Sequence, residues 1–352
     1  VILRPGPDVR RGDLLAAAFH NYPVDDAFVS CVIPVFRPDG AAIIHAEGAL
    51  CPLRVDDDAA AMLEVIADVV PAIAGGDLAP IAPAAPGSRC TYLQSRRLIR
   101  YDFAGRTTQV VRMVRGDNVV VAGSWLSEQE QRIAVQVEDT SRYDDGGLVL
   151  HRVEVFDVAS GARVGAVPLP RPRAAGLGWA AGAGLVAVAA RGAVKVFDTG
   201  LSELADHPLA RAALRCLTEV GATELHALRI HPCERIAVLV AVTGEIMGVR
   251  DFAVWRVTWD DADPQVRLLA TLHAVGDVAP GSFPPGHDVV DLRVESGGVT
   301  RLLIAVGARE LHDLGPSRGL QGACWSGPPL RYLAFERPNA QIVMWRVPDA
   351  QP

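Results

Sequence analysis

Short apolar runs separated by turn residues recur along most of this chain, and Leu225 to Val257 (LHALRIHPCERIAVLVAVTGEIMGVRDFAVWRV) shows the pattern most clearly. An alternating run from His226 to Ile230 meets a turn at His231-Pro232-Cys233-Glu234. A second apolar run spans Ile236 to Val242, and after a polar gap a third ends at Val254-Trp255-Arg256-Val257. Runs this short, bounded by turn formers, predict strands in tight succession rather than helices. Gln265 to Leu272 is expected to add a fourth.

Looser copies of the plan lie on both sides. In Phe28 to Val55 two apolar runs flank Phe36-Arg37-Pro38-Asp39-Gly40. There proline presets φ, aspartate bonds its own backbone and glycine supplies a positive φ, so the segment predicts a strand–turn–strand unit. Arg89 to Leu93, Leu98 to Phe103 and Thr107 to Val114 predict the next group. Asn118 to Leu126, Arg132 to Glu138, Leu148 to Val158 and Arg163 to Leu169 predict another. Leu177 to Ala180, Leu185 to Ala190, Ala193 to Asp198 and Glu203 to Leu209 follow. Beyond the clear unit come Val289 to Val294, Arg301 to Val306 and Glu310 to Leu314, then Leu320 to Trp325, Tyr332 to Phe335 and Ile342 to Val347.

Two stretches break the β pattern. Asp13 to Phe19 predicts a short helix inside an entry segment, residues 1–27, with Asp13 at its N-terminus. Residues 56–74 predict an inserted helix: Met62, Val65, Ile66, Val69 and Val70 have helical spacing behind the acidic Asp56 to Asp58. Residues 75–87, rich in Gly, Ala and Pro, read as a connector.

Aromatics mark the ends of third strands at Phe156-Asp157, Phe197-Asp198, Trp255-Arg256 and Trp345-Arg346. Together with Phe36-Arg37-Pro38-Asp39-Gly40 they make residues 28–348 similar to the degenerate WD-repeat-like β-propellers of bacteria. The family's Gly-His pair ahead of each blade is missing, as is its regular Asp before the third strand. Its His–Ser/Thr–Asp–Trp network is therefore not expected. The resemblance implies an all-β, seven-bladed propeller, with six or eight blades as the alternatives, over residues 1–352 as one domain. The last blade has only three predicted strands, and Val1 to Arg4 is expected to supply the fourth and close the ring.

Composition narrows the function. A net charge of -7 with pI near 5.7 argues against a general binder of nucleic acid or anionic membranes. No apolar run approaches the ~18 residues of a membrane span. Lys195 is the sole lysine, and the excess of Arg, Ala, Gly, Pro and Val suits a GC-rich bacterial genome. The six cysteines are scattered with no CxxC pair, and no signal peptide is visible, so buried free thiols in the cytoplasm are expected.

Candidate chemistry is sparse. His226, His231 and Cys233 have metal-ligand types, but His231 and Cys233 fall in a strand-to-strand turn. Glu138, Asp139, Asp144 and Asp145 form an acidic loop without the order of a calcium loop. Gly176 to Gly182 lacks the helix a dinucleotide loop needs. His287, Asp288 and Asp291 offer an acid/base group at a channel mouth. No catalytic motif is present, and neither a cofactor nor a metal is expected. The expected function is a protein–protein interaction platform, scaffold or sensor domain. Its partner would be another protein or a neighbouring domain of the same chain, met through loop residues Trp259, Arg256 and Tyr143. The alternative is a propeller hydrolase, lactonase or lyase with a metal or polar site at the central channel.

Overall fold

The computed structural model describes residues 2–5, 9–11, 18–21, 42–46, 49–55 and 60–62 as strands. It describes residues 78–346 apart from short stretches such as 142–148 and 170–177, with side chains from Ile81 onwards. Three N-terminal strands, β1 (Ile2–Pro5), β2 (Val9–Arg11) and β3 (Ala18–Asn21), precede β4 (Ala42–Ala46), β5 (Ala49–Val55) and β6 (Ala60–Met62), which pair together. A second sheet holds β7 (Leu78–Pro80), β8 (Arg89–Gln94), β9 (Arg97–Asp102) and β10 (Thr107–Arg112). A third holds β11 (Asn118–Trp125), β12 (Arg132–Asp139), β13 (Leu150–Asp157) and β14 (Arg163–Pro168). The fourth has β15 (Trp179–Gly182), β16 (Leu185–Ala190) and β17 (Ala193–Phe197), followed by helix α1 (Pro208–Val220).

The fifth sheet contains β18 (Leu225–Ile230), β19 (Ile236–Ile246), β20 (Val249–Trp259) and β21 (Pro264–Ala274), with β1 added beside β21. The sixth contains β22 (Val278–Pro280), β23 (Val289–Ser296), β24 (Val299–Val306) and β25 (Glu310–Arg318), with β2 parallel to β25. The seventh contains β26 (Leu320–Ser326), β27 (Arg331–Glu336) and β28 (Gln341–Arg346), completed by β3.

Apolar layers lie between successive sheets. Val120, Trp125 and Val135 meet Leu93 and Leu98 between the second and third sheets. Trp179 and Val186 meet Val153 and Val155 between the third and fourth. Leu228 and Leu239 meet Ala187 and Val196 between the fourth and fifth, and Val254 and Leu272 meet Leu292 and Leu303 between the fifth and sixth. Ile304 and Val306 meet Trp325 and Tyr332 between the sixth and seventh. A second or third strand thus has neighbours on both edges and packing on both faces. That is why Leu185–Ala190 and the first half of Ile236–Ile246 are continuous apolar runs, while the outer strand Thr107–Arg112 is largely exposed. Each fully buried Val, Leu or Phe contributes about 1.5–3 kcal/mol. Edge strands of successive sheets also touch: β7 with β11, β11 with β15, β15 with β18, β18 with β22, and β26 with β4. Small meandering sheets packed face to face in chain order, with one edge of each gathered together, define a β-propeller.

Several expectations are corrected. The strand beside β28 is Ala18–Asn21, whereas Ile2–Pro5 joins the fifth sheet. Ala18 and Phe19 are therefore strand, not the end of a helix. In residues 56–74, Ala60–Met62 forms strand β6 against β5; residues 63–77 lie outside the described residues, as do 22–41 with the Phe36 to Gly40 turn. The connector 75–87 contains strand β7, and the sixth sheet begins at β22. These three-residue strands, both ending in proline, carry too few side chains to give a period.

Glu203 to Leu209 was expected as a fourth strand, but only a bridge from Phe197 to Glu203 forms before the chain turns into α1. Pro208 has no N–H for a ladder but suits the first helical turn, and His207 Nδ1 accepts from the Leu209 N–H. Leu209, Ala212, Ala213, Cys216 and Leu217 make one buried stripe, and Gly221 at φ 67 closes the C-terminus. The helix packs on β17, the place an outer strand fills in the second, third, fifth, sixth and seventh sheets.

Candidate functional site

In an antiparallel meander successive turns alternate between the two ends. The first–second and third–fourth turns share one face; the second–third turns share the other. On the first face His231 organises its turn. Its ring is fully buried, and Nδ1 accepts the Cys233 N–H at 3.1 Å and the Glu234 N–H at 2.8 Å. Burial pushes its pKa down, with Glu234 opposing, so the ring is neutral. It lies edge-on to Phe283 with centroids 4.9 Å apart. A side chain at Gly182 would collide with the His231 carbonyl, so this turn seats directly on its neighbour.

The Cys233 thiol donates to the Ala84 carbonyl at 3.0 Å, joining the fifth sheet's turn to the loop after β7 of the second sheet. Ala84 N–H donates to Glu130, whose other oxygen takes Arg100 at 2.8 Å. Three non-consecutive segments therefore meet at this mouth. Burial pushes the Cys233 thiol up to about 11, leaving it protonated and unreactive at neutral pH.

The expected partner residues are placed differently from one another. Trp259 is 6% exposed and stands edge-on to His207, with centroids 6.1 Å apart, packed with the α1 cluster. It is a core residue of the α1 contact and not an exposed anchor; its strand reaches further than the turn pattern suggested. Arg256 pairs with Asp288 of the next sheet and is largely covered. Tyr143 lies outside the described residues, as do Asp144 and Asp145. Asp139 is held below the usual carboxylate range by the Ser141 hydroxyl and then Arg152.

The other candidate groups are dispersed. His226 pairs with Asp277 and stacks edge-on against Phe252, away from His231 and Cys233. Asp288 is taken by Arg256, and Asp291 turns into the next interface, so His287, Asp288 and Asp291 do not converge. Among the described residues no group of three or more His, Cys, Asp or Glu is placed to hold a metal. Among them, too, no helix is long and apolar enough to cross a membrane.

The opposite face carries a long hairpin where the sequence pattern shows a polar gap. β19 and β20 are 11 residues each, and their register runs out to Ile246 opposite Val249. Met247 at φ 52 and Gly248 at φ 79 make the turn, the two positive values of a type I′ hairpin. Ile246 is 74% exposed and Met247 99%, with Val249 and Val275 also exposed beside them. Arg250, next to Val249, lies opposite Ala274, which places Val275 against the tip. An Arg250–Glu245 ion pair and a His273–Asp251 pair brace the base.

No protein-family model matches this chain, and no curated protein is recognisably related to it. Solved structures do resemble it. The propeller domain of the Trilobed protease from Pyrococcus furiosus, described as having an open velcro topology, is 12% identical at TM-score 0.48 over 92% of this chain and 95% of that one. An oligogalacturonate lyase from Vibrio parahaemolyticus is 11% identical at TM-score 0.47, over 97% of this chain and 100% of that one. A chain of the mitotic checkpoint complex is 10% identical at TM-score 0.42, over 77% and 90%. The propeller assignment rests on the strand pairing and packing above.

Proposed function

We propose that this propeller, read as a seven-bladed ring closed by Ala18–Asn21, is a WD-repeat-like scaffold that binds another protein or a neighbouring domain. The observation carrying this is the hairpin tip. Ile246, Met247, Val249 and Val275 form an apolar cluster in water on a rigid two-stranded lever. Met247 sits at a positive φ that disfavours any side chain, where Asn or Asp would be cheaper. An apolar side chain held there against both solvation and backbone preference suits an anchor for a partner's pocket. The two candidate carboxylates support this reading over a hydrolase or lyase, because Asp288 is paired with Arg256 and Asp291 with Arg293 and Tyr332.

A photo-crosslinking residue at position 247 of the full-length gene product in its native host tests this. The expected result is one discrete adduct that disappears in Ile246→Asp, with none from a crosslinker at Ser160 on the opposite face. Equal labelling from both positions, or none from 247, overturns the proposal.

A further inference from the structure

Beneath the first–second turns, three sheets contribute to one polar cluster. Asp291 of β23 is 1% exposed, and both its oxygens are hydrogen-bonded. One accepts the Ser282 N–H at 2.9 Å; the other accepts Arg293 Nε at 3.0 Å and the Tyr332 hydroxyl at 3.0 Å. Arg229, near the end of the inner strand β18, donates Nε to the Gly281 carbonyl at 2.6 Å. Burial weighs most against its charge; Asp291 is the carboxylate that favours it, and Arg293 repels it. The cluster therefore holds two guanidinium groups against one carboxylate that already takes three donors.

Neither arginine is sealed in. Arg229 is half-buried, and the Arg293 side chain is 34% exposed although it is rooted on the buried Asp291. Arg293 stands opposite Ala279 of the inner strand β22, a residue too small to screen it. Both strands that line this place, β18 and β22, are edge strands in mutual contact.

We infer that Arg229 and Arg293 form a binding site for a small oxyanion, a carboxylate or a phosphate ester, where the inner edges of the fifth and sixth sheets meet the seventh. A guanidinium offers paired N–H donors matched to the two oxygens of such a group, and an enclosed surplus cation gains most from a ligand that neutralises it. Asp291, Tyr332 and Ser282 would hold Arg293 in position. The inference is independent of the hairpin, which lies on the other face.

The test is isothermal titration calorimetry with malonate, with inorganic phosphate and with neutral malonamide, at constant ionic strength, on the wild-type protein and on Arg229→Gln. Glutamine can keep the Gly281 hydrogen bond while losing the charge. Saturable binding of malonate or phosphate, none of malonamide, and at least about tenfold weaker binding by Arg229→Gln are expected. A preference for malonate assigns a carboxylate ligand, and a preference for phosphate a phosphate ester. Absence of saturable binding by the wild-type protein to either anion overturns the inference, as does equal binding by Arg229→Gln.

Discussion

His231 does for its turn what asparagine does in other turns: a side-chain acceptor gathers two backbone N–H groups. The acceptor exists only while the ring is neutral, and burial holds the folded pKa below the ordinary value. The unfolded chain then binds more protons, so stability drops as pH falls below about 6.5 toward the folded pKa. His207, whose pKa burial also lowers, adds to the same slope. His231→Asn keeps an acceptor without the titration. Thermal melts between pH 7.5 and pH 5 should show a shallower decline for this variant, and an unchanged slope would remove His231 from the account. The sequence showed that His231-Pro232-Cys233-Glu234 was a turn. It did not show why histidine opens it, because that reason lies in burial and in contacts with Phe283 and Gly182 from adjoining sheets.

At the scale of elements, strands with two buried faces announced themselves as apolar runs, and most were placed within a residue or two. What escaped had local cues that were outvoted. Helix α1 carries proline at its start, glycine at its end and a helical apolar stripe, yet Glu203 to Leu209 extended a strand pattern into it. Its contact with Trp259 gives a sharp expectation. Trp259→Ala should cost about 3–5 kcal/mol in chemical denaturation, because it empties the space between β20 and α1. A loss within ~0.5 kcal/mol would mean that the indole is not a core group. The hairpin gives the opposite sign: Met247→Asn should stabilise the protein by up to about 1 kcal/mol, since asparagine tolerates a φ of 52 better. The same variant should weaken the adduct from the tip, so stability and binding would part company at one residue.

For the whole molecule, the succession of sheets was legible but their membership at the outer edge was not. The expected closing strand was Val1 to Arg4; in the structure β1, β2 and β3 lie on the outer edges of the fifth, sixth and seventh sheets in turn. Edge pairing uses backbone groups that every residue has, so the sequence pattern cannot say which sheet a short strand will choose. Deleting residues 1–21 uncovers three edges, and calorimetry with light scattering should show a melting point lower by about 5 °C or more together with aggregation. An unchanged melt would show that these strands are dispensable. The arrangement also has a consequence in time. During synthesis Ile2–Pro5 leaves the ribosome long before its partner Leu272, and Ala18–Asn21 long before Gln341. These segments stay unpaired until those partners have emerged. Pairing of β1, β2 and β3 must therefore follow the emergence of partners from Ala270 onwards. The β3–β28 pairing spans the greatest sequence separation among the described pairings, and contacts of such separation are slow to form.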